Sequence, residues 1–142
     1  LASLEQQLLE IQKKLKQKIK SAMIQDVVPA VIETEKKHIQ IDIYAAYQPH
    51  LYKRTGDLLQ DSNFQVEIID DGVIITNETY HNGKNISEIM ETGIGWSIED
   101  VWGYGYSEPR PFVENTKNEI LATGIHKKKL KDGLIRQGLN VK

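Results

Sequence analysis

Apolar residues open the chain at Leu4, Leu8, Ile11, Leu15, Ile19 and Met23. The steps of four, three, four, four and four trace one face of a helix with 3.6 residues per turn, and they predict a helix over residues 3–28. Ser3 followed by Gln6 has the form of a capping box, and Glu5 in the first turn suits the positive end of the helix dipole. Pro29 lacks an N–H and its ring disfavours helical geometry at Val28, so a kink or a break is expected there. Helical character resumes over residues 30–46, with Val31, Ile32, His38, Ile39 and Tyr44 available for burial, and Pro49 ends it. A helical region of more than 40 residues exceeds what the remainder of a small domain can cover. Part of it is expected to lie against another subunit.

The period then changes. Residues 44–59 read YAAYQPHLYKRTGDLL, a junction holding three tyrosines, a Lys-Arg pair and a Thr-Gly turn. It leads into a short helical or extended segment. From Asn63 onward Phe64, Val66 and Ile68 alternate with Gln65 and Glu67; Asp70-Asp71-Gly72 signals a tight turn, and residues 73–77 return as a second strand. A lone hairpin is marginal in water, and the long helix is its expected cover. Residues 80–85 read as a loop and 86–92 as two helical turns stopped by Gly93. Residues 94–107 form a Gly-rich loop carrying Trp96, Trp102, Tyr104 and Tyr106, four of the ten aromatics of the chain; such loops commonly meet partners. Glu108-Pro109-Arg110-Pro111-Phe112 is rigid and extended. A last helix is predicted over 112–136, with Val113, Thr116, Ile120 and Leu121 inward and its basic residues toward the C-terminal end. Gly133 and Gly138 mark its decay, and Leu139-Asn140-Val141 is read as a short edge strand. The fold class is α+β in one domain, residues 1–142. A long helical arm over 1–46, kinked near Pro29, and a C-terminal helix pack on a small antiparallel sheet built around one hairpin, within an α+β body over 47–142.

Composition narrows the chemistry. With 142 residues, 39% hydrophobic and 27% charged, the chain is long enough to bury a core without staples. It has no cysteine, which excludes disulfides, thiolate metal sites and a thiol nucleophile. No apolar run approaches the ~18 residues that span a bilayer, and no secretory h-region precedes the first helix. The sequons at Asn77 and Asn85 therefore read as chance matches, and a start on Leu1 without Met is expected to reflect removal or omission of the first residue. The expectation is a soluble protein, cytoplasmic when made. Net charge is −2 but segregated: residues 1–60 carry 9 Lys+Arg against 7 Asp+Glu, residues 61–119 carry 3 against 12, and residues 120–142 carry 6 against 1. An acidic middle between basic ends suits head-to-tail contact between copies; solvated Lys-rich helix faces beside acidic loops would give the same tally.

Nothing in the pattern forms a catalytic constellation. His38, His50, His81 and His126 lack metal-ligand spacing. Gly93-Ile94-Gly95 lacks the third glycine and the preceding strand of a dinucleotide fingerprint, and no serine stands in a nucleophile elbow. Asp70-Asp71 and Glu99-Asp100 sit in turns as solvated acids, and Glu88 with Glu91 has no basic or histidine partner nearby in sequence, which favours a structural role over acid–base work. Lys13, Lys14, Lys16, Lys18 and Lys20 are spaced as a solvated face; a nucleic-acid arm is the alternative, without interleaved aromatics. Arg54 and Arg110 stand out, each beside Pro or Gly and flanked by aromatics. A guanidinium there suits bidentate pairing with a carboxylate, across a subunit boundary or within the chain.

The order of short motifs carries a resemblance. Tyr44-x-x-Tyr47-x-Pro49-x-x-Tyr52-x-Arg54-Thr55-Gly56-x-Leu58, then Ile89-Met90-Glu91-Thr92-Gly93, then Pro109-Arg110-Pro111-Phe112-Val113-Glu114 resembles the minor tail components and tail-completion proteins that join head to tail in lambdoid-type tailed phages and prophages. The resemblance covers nearly the whole chain and implies a small α+β subunit without enzymatic activity, metal or cofactor, located in the virion at the neck or head-proximal tail and made in the bacterial host cytoplasm. It implies partners as well: copies of itself, often in a ring, and neighbouring neck, tail-terminator or tail-tube proteins, with DNA only as cargo in the lumen and no membrane. Interaction or hinge candidates are Tyr47, Tyr52, Arg54, Gly56, Trp96, Trp102, Tyr104, Arg110 and Phe112, with Tyr47, Tyr52 and Arg54 locking a hinge between arm and body. The loop over 94–107 departs from the family pattern in being longer and more aromatic.

Overall fold

A computed structural model describes residues 3–45, 56–81, 83–94 and 109–142. The N-terminal pattern forms α1 (Leu4–Ala22), started by the expected capping box: the Ser3 hydroxyl accepts from the Gln6 N–H at 3.2 Å, and the Ser3 N–H donates to Gln6 Oε1 at 3.0 Å. Every residue from Leu4 to Gln17 is exposed, and burial is complete only at Ala22. The helix is then interrupted where the proline predicted it, by a π-helical turn (Met23–Val27) and not by a break. The Val28 N–H reaches back five residues to the Met23 carbonyl, and Val28 itself stays helical at φ −56°, ψ −48°. A widened turn gives the Pro29 ring room and asks less of its missing N–H, which is how the chain enters α2 (Val28–His38) without leaving helical geometry. A second π-helical segment, Ile39–Tyr44, follows and places Ile39 and Ile43 inward, 0% and 2% exposed.

Those two isoleucines anchor the core with Leu58, Phe64 and Phe112, and Ile32, Tyr44, Leu59, Ile86 and Met90 pack around them. Leu58 arrives on a short 3-10 turn (Asp57–Leu59), entered through Gly56 at φ +78°, a left-handed conformation that glycine adopts without Cβ strain. The hairpin has β1 (Phe64–Ile69) antiparallel to β2 (Gly72–Asn77), in the register Phe64↔Asn77 to Ile69↔Gly72 around Asp70-Asp71. The loop expected next holds a second, minimal ladder, β3 (Tyr80–His81) with β4 (Lys84–Asn85). α3 (Ile86–Thr92) is capped by the Asn85 side chain and stopped by Gly93 at φ +73°.

The architecture is α+β, with a long N-terminal helix, helices at the C-terminus and small antiparallel sheets of two strands each. Four expectations about the C-terminal region are corrected. The helix predicted over 112–136 is two, α4 (Phe112–Thr123) and α5 (Ile125–Arg136), because Gly124 at φ +66° ends the first and starts the second. On α4 the inward residues are Phe112 and Thr116; Val113 and Leu121 are exposed. Gly133 does not mark decay, since it is buried inside α5 where that helix crosses the end of α1, and residues 139–142 form no strand. Among the described residues the long helix does not cover the whole hairpin as expected: its base joins the core through Phe64, while Val66 and Ile68 further out are 41% and 50% exposed.

Candidate functional site

Three of the short motifs converge on one junction. The Met90 carbonyl accepts the Arg110 N–H at 2.7 Å, which seats Pro109-Arg110-Pro111 against the end of α3. One turn on, the Glu91 carboxylate accepts the N–H groups of Val113 and Glu114 at 2.8 and 3.0 Å. These are first-turn donors of α4 that have no partner within the helix, and a carboxylate there also answers the helix dipole. Glu91 is thus the N-terminal cap of α4, supplied from another helix, which accounts for its place before Gly93 better than acid–base work does. The third motif contributes Leu58, packed in the same core as Phe112. A buried polar node fixes its turn: Asn77 Nδ2 donates to the Leu58 carbonyl at 2.9 Å, while Asn77 Oδ1 accepts from the Thr79 and Ser87 hydroxyls, both at 2.7 Å. With its amide so engaged, Asn77 is a packing residue and its sequon has no accessible acceptor nitrogen in the folded chain.

Beside the junction lies Glu35, 4% exposed on α2, whose Oε1 accepts no hydrogen bond among the described residues. Burial first, and the Glu91 charge second, push its carboxyl up from 4.5 to about 7. Residue reading missed Glu35, although an acid at the helical spacing of Ile32 and Ile39 was a visible signal. A second cluster was missed as well. His38 Nδ1 lies 3.0 Å from Asp42 Oδ2 and its Nε2 lies 3.5 Å from Glu119 Oε1. Asn115 donates to the same Asp42 oxygen at 2.9 Å, and Lys37 pairs with Glu119, holding that carboxyl below its ordinary value. The signal that could have found it is the i,i+4 spacing of His38 and Asp42. These contacts tie α2 and the segment that follows it to α4.

Of the residues singled out from sequence, Gly56 enters the Leu58 turn, Arg110 is 8% exposed beside α3, and Phe112 is fully buried in the subunit's own core. Tyr47, Tyr52, Arg54, Trp96, Trp102 and Tyr104 lie outside the described residues. No group of three or more His, Cys, Asp or Glu among the described residues could hold a metal ion, and no helix among them is long and apolar enough to cross a membrane.

What the described surface does offer is apolar. Leu4, Leu8, Ile11 and Leu15 form a row along α1 and are 72%, 50%, 62% and 43% exposed. The outer hairpin adds Val66 and Ile68 on one face. Scattered exposed apolar residues are ordinary, whereas a contiguous row at helix spacing is a candidate contact surface.

Fold and surface together define a small α+β protein with a tightly tied junction and an uncovered amphipathic arm. The chain belongs to the YomN family, whose pattern it matches over residues 7–136. It is 39% identical over 114 residues to the SPbeta prophage-derived uncharacterized protein YomN of Bacillus subtilis (strain 168), covering 80% of each chain. The family is therefore phage-derived. No solved structure matches.

Proposed function

We propose that the chain is a non-enzymatic structural subunit of a tailed-phage or phage-like particle, acting in head–tail joining or tail completion at the neck. It works through self-assembly, as a ring, and through contacts with neighbouring neck, tail-terminator or tail-tube proteins, with DNA passing through the lumen. The observation that carries this reading is the row Leu4, Leu8, Ile11 and Leu15, exposed along a well-capped helix in a chain with a prophage relative. A free subunit gains nothing from ordering that stripe in water; a subunit in an assembly buries it. The motif order adds the neck, through its resemblance to tail-completion proteins.

Light scattering on the purified chain, alone and mixed with the neck and tail proteins of the same particle, tests the reading. Higher-order species, or assembly triggered by a partner, are expected. A strict monomer that binds none of them counts against it. The alternative, a nucleic-acid-binding module on the Lys-rich helix faces, predicts DNA retardation at low salt that falls steeply as salt rises.

A further inference from the structure

We propose that the apolar row of α1 docks on the outer hairpin of the next copy of this chain, so that each subunit covers its neighbour's hairpin. This rests on the assembly reading and names the surfaces that carry it. The two surfaces want the same thing from opposite sides. On the hairpin, Val66 and Ile68 share a face with their cross-strand partners Ile75 and Val73, and that face continues outward from the buried Phe64. Its inner end rests on the core; at its outer end Val66 and Ile68 stay 41% and 50% exposed, with no helix over them among the described residues, although a two-stranded sheet needs a cover. On α1 the row at Leu4, Leu8, Ile11 and Leu15 is an amphipathic helix face that stays exposed among the described residues.

Charge favours this pairing over two α1 helices side by side in parallel. Residues 61–79 carry Asp61, Glu67, Asp70, Asp71 and Glu78 and no Lys or Arg, whereas α1 carries five lysines against Glu5 and Glu10. Lys14 and Lys16 flank the apolar row on its two sides at helical spacing. An acidic hairpin therefore meets a basic helix, and opposite patches steer approach and fix the partner. Two α1 helices side by side in parallel would bring lysines against lysines. The topology follows too: α1 and the hairpin are different patches, so the contact is heterologous, and a heterologous contact repeated between copies closes a ring or continues as a filament.

The absence of cysteine from the chain makes the test clean. Two full-length variants, Ile11→Cys and Ile68→Cys, carry distinguishable tags and are treated with a short bismaleimide, separately and mixed, under conditions where the wild type assembles. The expected result is an Ile11→Cys to Ile68→Cys cross-link that appears on mixing and dominates the dimer band, with several-fold less of either self-link. A band from Ile11→Cys with itself that matches or exceeds the mixed one overturns the proposal in favour of paired helices. Oligomers on light scattering with no cross-link also overturn it, while leaving the assembly reading intact; the absence of any oligomer or partner binding counts against that reading itself. A charge exchange gives an independent check. Asp70→Lys with Asp71→Lys should lose the oligomer peak, and adding Lys14→Glu with Lys16→Glu should restore part of it; no loss in the first variant overturns the charge argument.

Discussion

Glu35 and Gly133 are the residues at which a single atom decides the most. Glu35 is an acid in an apolar setting, with its carboxyl raised from 4.5 to about 7 by burial and by Glu91. Between those two values the folded chain holds a proton that the unfolded chain has released. Stability must then fall as pH rises through that window, and level off above about 7, by an amount on the order of 3 kcal/mol at 1.36 kcal/mol per pH unit. Thermal melts at pH 5.5 and pH 8 should show the wild type melting higher at the lower pH, with Glu35→Gln reducing the difference. An unchanged pH dependence in that variant would show that Glu35 titrates normally. Gly133 acts through space instead. A Cβ built there would lie 2.8 Å from Ala22 Cβ and 2.3 Å from Asp26 Oδ2, the oxygen that accepts from Arg136 Nη2 at 2.7 Å. The carboxylate could swing away, but Ala22 sits on the backbone of α1 and cannot. Gly133→Ala gains about 1 kcal/mol of helix propensity and is expected to lose more by forcing α5 off α1, a net cost of about 1–2 kcal/mol. A denaturation midpoint at or above that of the wild type would rule out the close approach.

At the scale of elements, helices borrow their ends from one another. α4 begins where Glu91 of α3 reaches its first N–H groups, so the start of one helix is completed by a side chain of the other. Capping interactions contribute about 0.5–2 kcal/mol, and Glu91→Ala should destabilise the chain by that order in a urea titration. The same change removes the charge beside Glu35, so the variant should also show a shallower fall in stability between pH 5.5 and pH 8. A loss of stability with an unaltered slope would separate the two groups. The elements themselves were largely legible in the chain: the 4-3-4-4 spacing gave α1, the Ser3/Gln6 pair gave its cap, alternation around Asp70-Asp71 gave the hairpin, and Gly93 gave the end of α3. What was not legible depended on partners distant in sequence. The Thr-Gly step at 123–124 looks like a tolerated glycine until its φ is known, and Gly133 looks like a helix weakener until Ala22 is found against it. Pro29 predicts a disturbance, but whether the chain breaks or widens into a π-turn depends on the burial of Val27 and Val28 just before it. Glu91 reads as one surface acid among many, because nothing local says that the start of α4, more than twenty positions later, comes to its carboxylate. Val66 and Ile68 carry a strand signal that says which face is apolar and nothing about what covers it.

Over the whole molecule, the core and the exposed row on the first turns of α1 are separate and so should be separable by mutation. The packed centre is small: Ile39, Ile43, Leu58, Phe64 and Phe112, with the Asn77 node and the Glu91 cap around it. Cutting into it is expensive, and Phe112→Ala is the kind of change that costs about 3–5 kcal/mol, a large share of what a domain of this size has. The arm is the opposite case. Leu8 and Ile11 are 50% and 62% exposed within the subunit, and substitutions at such positions usually change stability by no more than about 0.5 kcal/mol. Their apolar area has value only when something covers it, at about 1.5–3 kcal/mol for each large aliphatic side chain fully buried. Leu8→Asp with Ile11→Asp should therefore leave the melting temperature of the dilute subunit within a degree or two of the wild type. The same pair should move the light-scattering mass at high concentration, or in the presence of particle partners, down to the monomer, because two buried contacts are lost in every interface and two carboxylates take their place. A core mutation would lower both readings together, and a change on an idle surface would lower neither. Loss of assembly at unchanged stability is the pattern that identifies α1 as the assembling face; full assembly by the double variant would remove the arm from the interface and leave its apolar row without a role.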